Sequence, residues 1–220
     1  MKHTFKHHVV HFLLYLVLSV LSLTLTAQTG KTIRKAYLQS GGGVGFHDSE
    51  LGEIGLQTIF NNKWCATVSY QDITMTPKNL PSDYQAESGY VFFIPYSSGV
   101  DINMNLFSVT AGKYFHLDKN IWATIEAGLS YINGEKASFQ PTAVTSSSLI
   151  IFASTTSNYI TTKEKKSTVG AMLRADINWA FSSFMGIGTG VYANFNSIQS
   201  PVGFQVKFIV GYTGREKNKK

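Results

Sequence analysis

From residue 36 onward, apolar and polar residues alternate along most of the chain, and a period of two belongs to β-strands with one apolar face. The clearest run, Ile121 to Ile132, sets Ile121, Ala123, Ile125, Ala127, Leu129 and Tyr131 against Trp122, Thr124, Glu126, Gly128 and Ser130. Thr168 to Phe181 repeats it, with Val169, Ala171, Leu173, Ala175, Ile177 and Trp179 opposed to Gly170, Met172, Arg174, Asp176 and Asn178. The last run sets Val202, Phe204, Val206, Phe208, Val210 and Tyr212 against Gly203, Gln205, Lys207 and Gly211. Five further runs cover roughly 36–46, 51–60, 63–73, 103–115 and 184–195, which makes eight strands.

Connection lengths arrange these runs. Asn61-Asn62, His116 to Asn120 and Ser182-Ser183 are tight turns. The intervening connections, 47–50, 74–102, 133–167 and 196–201, lie at the opposite end, and two of them are long. Short turns at one end and long loops at the other describe an antiparallel up-and-down barrel of eight strands. Loops of that length are uncommon in compact domains unless they have a function.

The N-terminus predicts an address. Lys2 and Lys6 precede an apolar run from Val9 to Leu25, and the small Ala27 follows, which is the layout of a secretory signal peptide cleaved after residue 27. The run is short for an uncleaved membrane anchor. Cleavage removes two lysines and no acid, so the balance of 19 basic and 13 acidic residues becomes 17 and 13, too weak an excess to imply a nucleic-acid partner. The single Cys65 fits an envelope protein without a disulfide framework, as a small buried side chain within a strand.

Alternation alone leaves two barrels open, a soluble lipocalin-like one with the polar set outside and a membrane one with it inside. Charged residues are only 15% of the chain, and the polar set is dominated by Gly, Ser, Thr, Asn and Gln. A water-facing set would carry more Lys and Glu. Small residues such as Gly41, Gly43, Gly45, Gly186, Gly188 and Gly190 suit the crowded interior of an eight-stranded barrel. The polar set is therefore expected inside and the apolar set against lipid. The apolar face also carries Phe60, Trp64, Phe115, Trp179 and Tyr212 at the turn end and Phe46, Tyr70, Tyr131 and Phe195 at the loop end, as two interfacial girdles would.

With this pattern, the sequence over residues 36–212 resembles the small eight-stranded outer-membrane proteins of Gram-negative bacteria, of the OmpA/OmpX/OmpW general type. The resemblance implies an all-β transmembrane barrel in the outer membrane, and a strand-terminal aromatic, here Tyr212 or Phe208, that serves assembly. A basic tail, Arg215 to Lys220, follows that strand. The expected organisation is a signal peptide at 1–27, a periplasmic segment at 28–35, the barrel at 36–212 and a periplasmic tail at 213–220.

Parity places Glu53, Glu126, Arg174, Asp176 and Lys207 in the lumen. Buried charges persist only when paired and hydrogen-bonded; Glu126 and Arg174, on sequential strands, are placed to pair directly, and Lys207 on the last strand to reach across a narrow lumen to an acid. The second candidate is external: Val91-Phe92-Phe93-Ile94-Pro95-Tyr96 and Leu149-Ile150-Ile151-Phe152 are unusually apolar for loops. Either strands extend beyond the membrane and these stretches pack together, or they form a contact patch built on Phe92, Phe93, Ile94, Tyr96, Leu149, Ile150, Ile151 and Phe152.

Catalytic signals are weak. His47, Asp48, Ser49 and Glu50 stand together at a loop tip and have the types of a nucleophile and base, but successive residues of an extended chain point apart. Gly41-Gly42-Gly43-Val44-Gly45 lacks the strand-turn-helix context of a phosphate loop. His116 lies at a turn, and no Cys/His cluster has metal-ligand spacing, so neither cofactor nor metal is expected. The expected partners are outer-membrane lipid and an extracellular protein or surface reached through the loops. The expected role is non-enzymatic, in surface interaction, adhesion or envelope integrity. A narrow channel for ions or small hydrophobic molecules and a soluble periplasmic ligand-binding barrel are the alternatives.

Overall fold

The computed structural model describes residues 33–91, 94–143, 146–149, 152–155 and 157–213. The expected signal peptide, the tail from 214 and the candidates Phe92, Phe93, Ile150 and Ile151 lie outside these residues. The described residues form twelve strands: β1 Ile33–Gly45, β2 Ser49–Phe60, β3 Trp64–Met75, β4 Glu87–Val91, β5 Ile94–Ser98, β6 Ile102–Asp118, β7 Ile121–Pro141, β8 Ser146–Leu149, β9 Phe152–Thr155, β10 Tyr159–Ala180, β11 Met185–Phe195 and β12 Val202–Tyr212. Eight close into a barrel in the order β1-β12-β11-β10-β7-β6-β3-β2, every neighbour antiparallel. The chain is all-β and runs up and down around the ring, as the alternation predicts.

The barrel is inside-out relative to a soluble protein. Gln39, Glu53, Gln57, Gln71, Glu126, Arg174, Asp176, Gln205 and Lys207 are buried, while Leu38, Ile54, Val109, Ile125, Leu129, Leu173, Val206 and Val210 are exposed. A lipocalin-like arrangement would require the reverse. On β10 the exposed apolar set runs from Val169 to Trp179. At ~3.4 Å per residue and a tilt of ~40°, that stretch rises about 26 Å, the height of an outer-membrane apolar band. Trp64, Phe115, Trp179 and Tyr212 are exposed at the turn end and Phe46, Tyr70, Tyr131 and Phe195 at the loop end, in two belts.

Two hairpins turn through left-handed residues. His47 and Asp48 have φ of 60° and 48°, and Asn61 and Asn62 have 51° and 55°. Paired positive φ matches the twist of the flanking strands, and Asn and Asp tolerate it best. His116 is not in a turn: β6 continues to Asp118 with an irregularity between His116 and Asp118, which leaves only Lys119 and Asn120 to reverse the chain.

The largest departure is above the barrel. Residues 133–167, expected as a loop, are mostly strand: β7 and β10 stay in register from Asn133↔Ser167 to Pro141↔Tyr159. The extension has no lipid face: charged Lys136, Glu164 and Lys165 are exposed on it while Ala137 is buried and Phe139 packs against Tyr84, so the one-sided alternation that marks membrane strands is absent there. Likewise 74–102 holds β4 and β5, which join β8 and β9 in a four-stranded antiparallel sheet ordered β5-β4-β9-β8. The two apolar stretches meet in it, with Val91 opposite Ile94 and Phe152, and Leu149 opposite Phe152.

A joint ties the 76–86 connection to the long hairpin. The Tyr84 ring packs against Phe139 and Tyr159 at centroid distances of 5.9 and 6.2 Å. The Tyr159 hydroxyl donates to Asp83 Oδ1 at 2.8 Å, and this bond holds the phenol pKa above its ordinary value. Asn158 Nδ2 donates to the Asp83 carbonyl at 2.7 Å.

Candidate functional site: a braced lumen

Side chains aimed inward by alternate residues of eight strands must fill a narrow space, and they do so in three layers. The middle layer is charged. Arg174 on β10 places Nη2 2.7 Å from Glu53 Oε1 on β2, and Nη1 donates to Ser69 Oγ at 3.2 Å. In the ring order β10 and β2 are opposite one another, so this bridge crosses the full width of the lumen. Lys207 Nζ lies 2.7 Å from Asp176 Oδ2, which is also 3.8 Å from Arg174 Nη2.

Neutral amides complete the layer. Glu53 accepts from Gln39 Nε2 at 2.8 Å and from Gln71 Nε2 at 2.7 Å, and Gln205 Nε2 donates to Asp176 Oδ1 at 3.3 Å. These partners satisfy lone pairs that would otherwise be buried at a cost of about 1–3 kcal/mol each.

The expected Glu126–Arg174 pair does not form. The two residues are directly opposite in the β7–β10 ladder, but Glu126 accepts from Thr110 Oγ1 at 2.7 Å and from Gln57 Nε2. Strand register makes neighbours, yet a long guanidinium reaches across the lumen to a carboxylate with two amide donors already aimed at it. All five candidate lumen charges are buried, and four of them, Glu53, Arg174, Asp176 and Lys207, are joined by ion pairs.

An apolar stopper lies on each side of this layer. At the turn end, Tyr37, Ile59, Cys65, Tyr114, Trp122, Ala180 and Ile209 form one buried cluster, which contains the free Cys65 thiol. Trp122 on β7 and Tyr37 on β1 again stand on opposite sides of the ring. Their rings are 5.9 Å apart, and Trp122 Nε1 donates to the Tyr37 hydroxyl at 3.2 Å. Lys35 covers this stopper with its ammonium 4.0 Å from the centre of the Trp122 ring and donates to the Thr213 carbonyl. At the loop end, Leu51, Ile73, Met75, Ile102, Met104, Leu106, Ile132 and Met172 form the second cluster.

Lys35, expected in the periplasmic segment before the barrel, is a lumen residue. β1 begins at Ile33, and the parity that turns Tyr37 and Gln39 inward turns Lys35 inward as well. Trp122 and Met172 were visible too, as apolar interruptions of an otherwise polar parity set.

The loop-tip residues do not converge on a site. His47 and Asp48 occupy the left-handed turn, Ser49 is buried within β2, and Glu50 is exposed on the opposite face. Of the external candidates, Ile94, Tyr96, Leu149 and Phe152 fall in β5, β8 and β9 of the outer sheet.

No family model and no curated protein matches the sequence. Among solved structures, the N-terminal β-barrel domain of Pseudomonas aeruginosa OprF aligns with a TM-score of 0.50 at 10% identity, over 83% of this chain and 100% of that one. Ail, the attachment invasion locus protein of Yersinia pestis, aligns with a TM-score of 0.42 at 13% identity, over 82% of this chain and 95% of that one. The ring of eight antiparallel strands, apolar outside and polar within, is the fold of the small eight-stranded outer-membrane β-barrels.

Proposed function

We propose that this chain is a non-enzymatic outer-membrane barrel, delivered by a cleaved signal peptide, that does not conduct and that holds β-structure outside the cell for contact with a surface or a partner protein. The observation that carries the reading is the pair of trans-lumen braces, Arg174–Glu53 and Trp122–Tyr37, stacked in one narrow barrel. A pore needs a continuous polar path, whereas here buried apolar clusters lie on both sides of the charged layer. The in-register continuation of β7 and β10 to Pro141 and Tyr159 supports a rigid external presentation.

Planar-bilayer recording on the purified full chain tests the closed lumen. The expected trace has no discrete steps for wild type. Steps in the wild type that Trp122→Ala enlarges would establish the channel alternative. The contact role is tested by deleting 149–152: binding to intact cells or matrix-coated surfaces should fall while the barrel keeps its heat-dependent mobility, and unchanged binding contradicts the role.

A further inference from the structure

We propose that the lipid-facing wall carries a trough for one acyl chain of an anionic phospholipid from the turn-side leaflet, with the lipid phosphate held at Lys113. The trough lies between two adjoining rows of outward side chains that cross strands β6, β7, β10, β11 and β12. Its floor is small: Ala111 stands opposite Ala127, Ala175 opposite Ile125 and Val191, and Ala193 opposite Leu173 and Val202. Phe115, Ile125, Leu173 and Val191 rise on its sides, exposed by 44%, 58%, 46% and 52%.

The trough is inclined. Its lower row starts at Lys113, near the turn end of β6, and passes Ile125 and Ala175 to Val191, midway along β11, while the second row, from Ala111 to Val202, lies two residues nearer the loop end. Three strand spacings of ~4.8 Å make the Lys113 row about 14 Å long as far as Val191, and a strand tilt of ~40° makes it climb about 9 Å. That rise stays within half of a ~30 Å hydrocarbon core, the depth of one leaflet.

Lys113 marks the headgroup end of the trough. Its ammonium sits 3.5 Å from the centre of the exposed Trp64 ring, its opposite neighbour on β3. Among the described outward residues between the two aromatic belts it is the single charged side chain. A lone cation at the edge of hydrocarbon is costly unless it meets an anion, and Trp64 fixes it at the mouth of an apolar groove. Lys63 and Lys119 add positive charge at the same end, against Asp118. A phosphate at the turn end and an acyl chain rising from it match this order of groups, which commits the site to a phospholipid rather than to a detached anion or hydrocarbon.

The inference rests on the barrel spanning a membrane, so each variant is first checked for heat-dependent mobility in SDS, which reports that reading separately. Wild type, Lys113→Gln and Ala127→Phe are reconstituted into vesicles of phosphatidylethanolamine with phosphatidylglycerol, re-extracted in mild detergent and weighed by native mass spectrometry. Wild type should retain one phosphatidylglycerol. Lys113→Gln should lower that retention about fivefold, the worth of one interfacial lysine, and Ala127→Phe, which fills the floor, should abolish it. Equal retention in all three, or equal retention of both lipids by wild type, overturns the proposal. A wild-type dimer that Ala127→Phe dissociates also overturns it, in favour of a second copy of the chain.

Discussion

Replacing Arg174 by alanine is expected to destabilise the barrel by about 3–5 kcal/mol, because the change leaves buried acids without their cation. Glu53 loses its bridge and Asp176 retains only Lys207. Glu53 stays surrounded by the Gln39 and Gln71 amides, which cannot neutralise it. Glu126→Ala, by contrast, removes hydrogen bonds from Thr110 and Gln57 but leaves Arg174 with both of its ion-pair partners. Its cost is expected at about 1–3 kcal/mol. The order of the two variants in urea unfolding from lipid vesicles checks the pairing, and an equal or greater loss for Glu126→Ala would contradict it. The double variant Arg174→Met/Glu53→Leu should recover much of the loss, since a matched apolar pair removes the uncompensated charge.

The second large effect concerns strand approach. A Cβ added to Gly128 would lie 2.6 Å from Thr110 Cα and inside the surface of the Val109 carbonyl oxygen. Both obstacles are backbone, so neither can swing aside, and β6 and β7 would have to separate. Gly128→Val should therefore cost about 3 kcal/mol or more and reduce the folded fraction recovered from membranes. Gly52 is the control: the nearest atom to an added Cβ is the Asp72 carbonyl oxygen at 4.0 Å. Gly52→Ala should fold with wild-type yield, and similar yields for Gly128→Val and Gly52→Ala would refute the tight ladder at Gly128.

These two cases mark how far the sequence alone is legible. Period-two alternation locates eight strands and sorts their faces, because the boundary between lipid and lumen acts on every second residue along each membrane strand. It loses the strands beyond Asn133 and before Ser167, where the chain has left the lipid and that boundary no longer acts. It identifies Glu53, Asp176, Arg174 and Lys207 as lumen charges but not their pairing, which depends on side-chain reach across the ring and on the glutamines already aimed at Glu53. The stoppers were readable in part, from Trp122 and Met172 standing where polar residues prevail. What joins Tyr37 to Trp122 is ring closure, and local sequence does not encode which strands come to stand opposite.

A closed barrel with a polar, braced lumen that spans a bilayer should resist SDS until it is heated. The most direct test is the SDS mobility of membrane-extracted protein, unheated and boiled, alongside separation of inner and outer membranes and soluble periplasm. Recovery with the outer membrane and a band that shifts only on boiling are expected, because the barrel strands have no free edge from which detergent can unzip them. Recovery in the soluble periplasm with one mobility at both temperatures would contradict the membrane-spanning barrel.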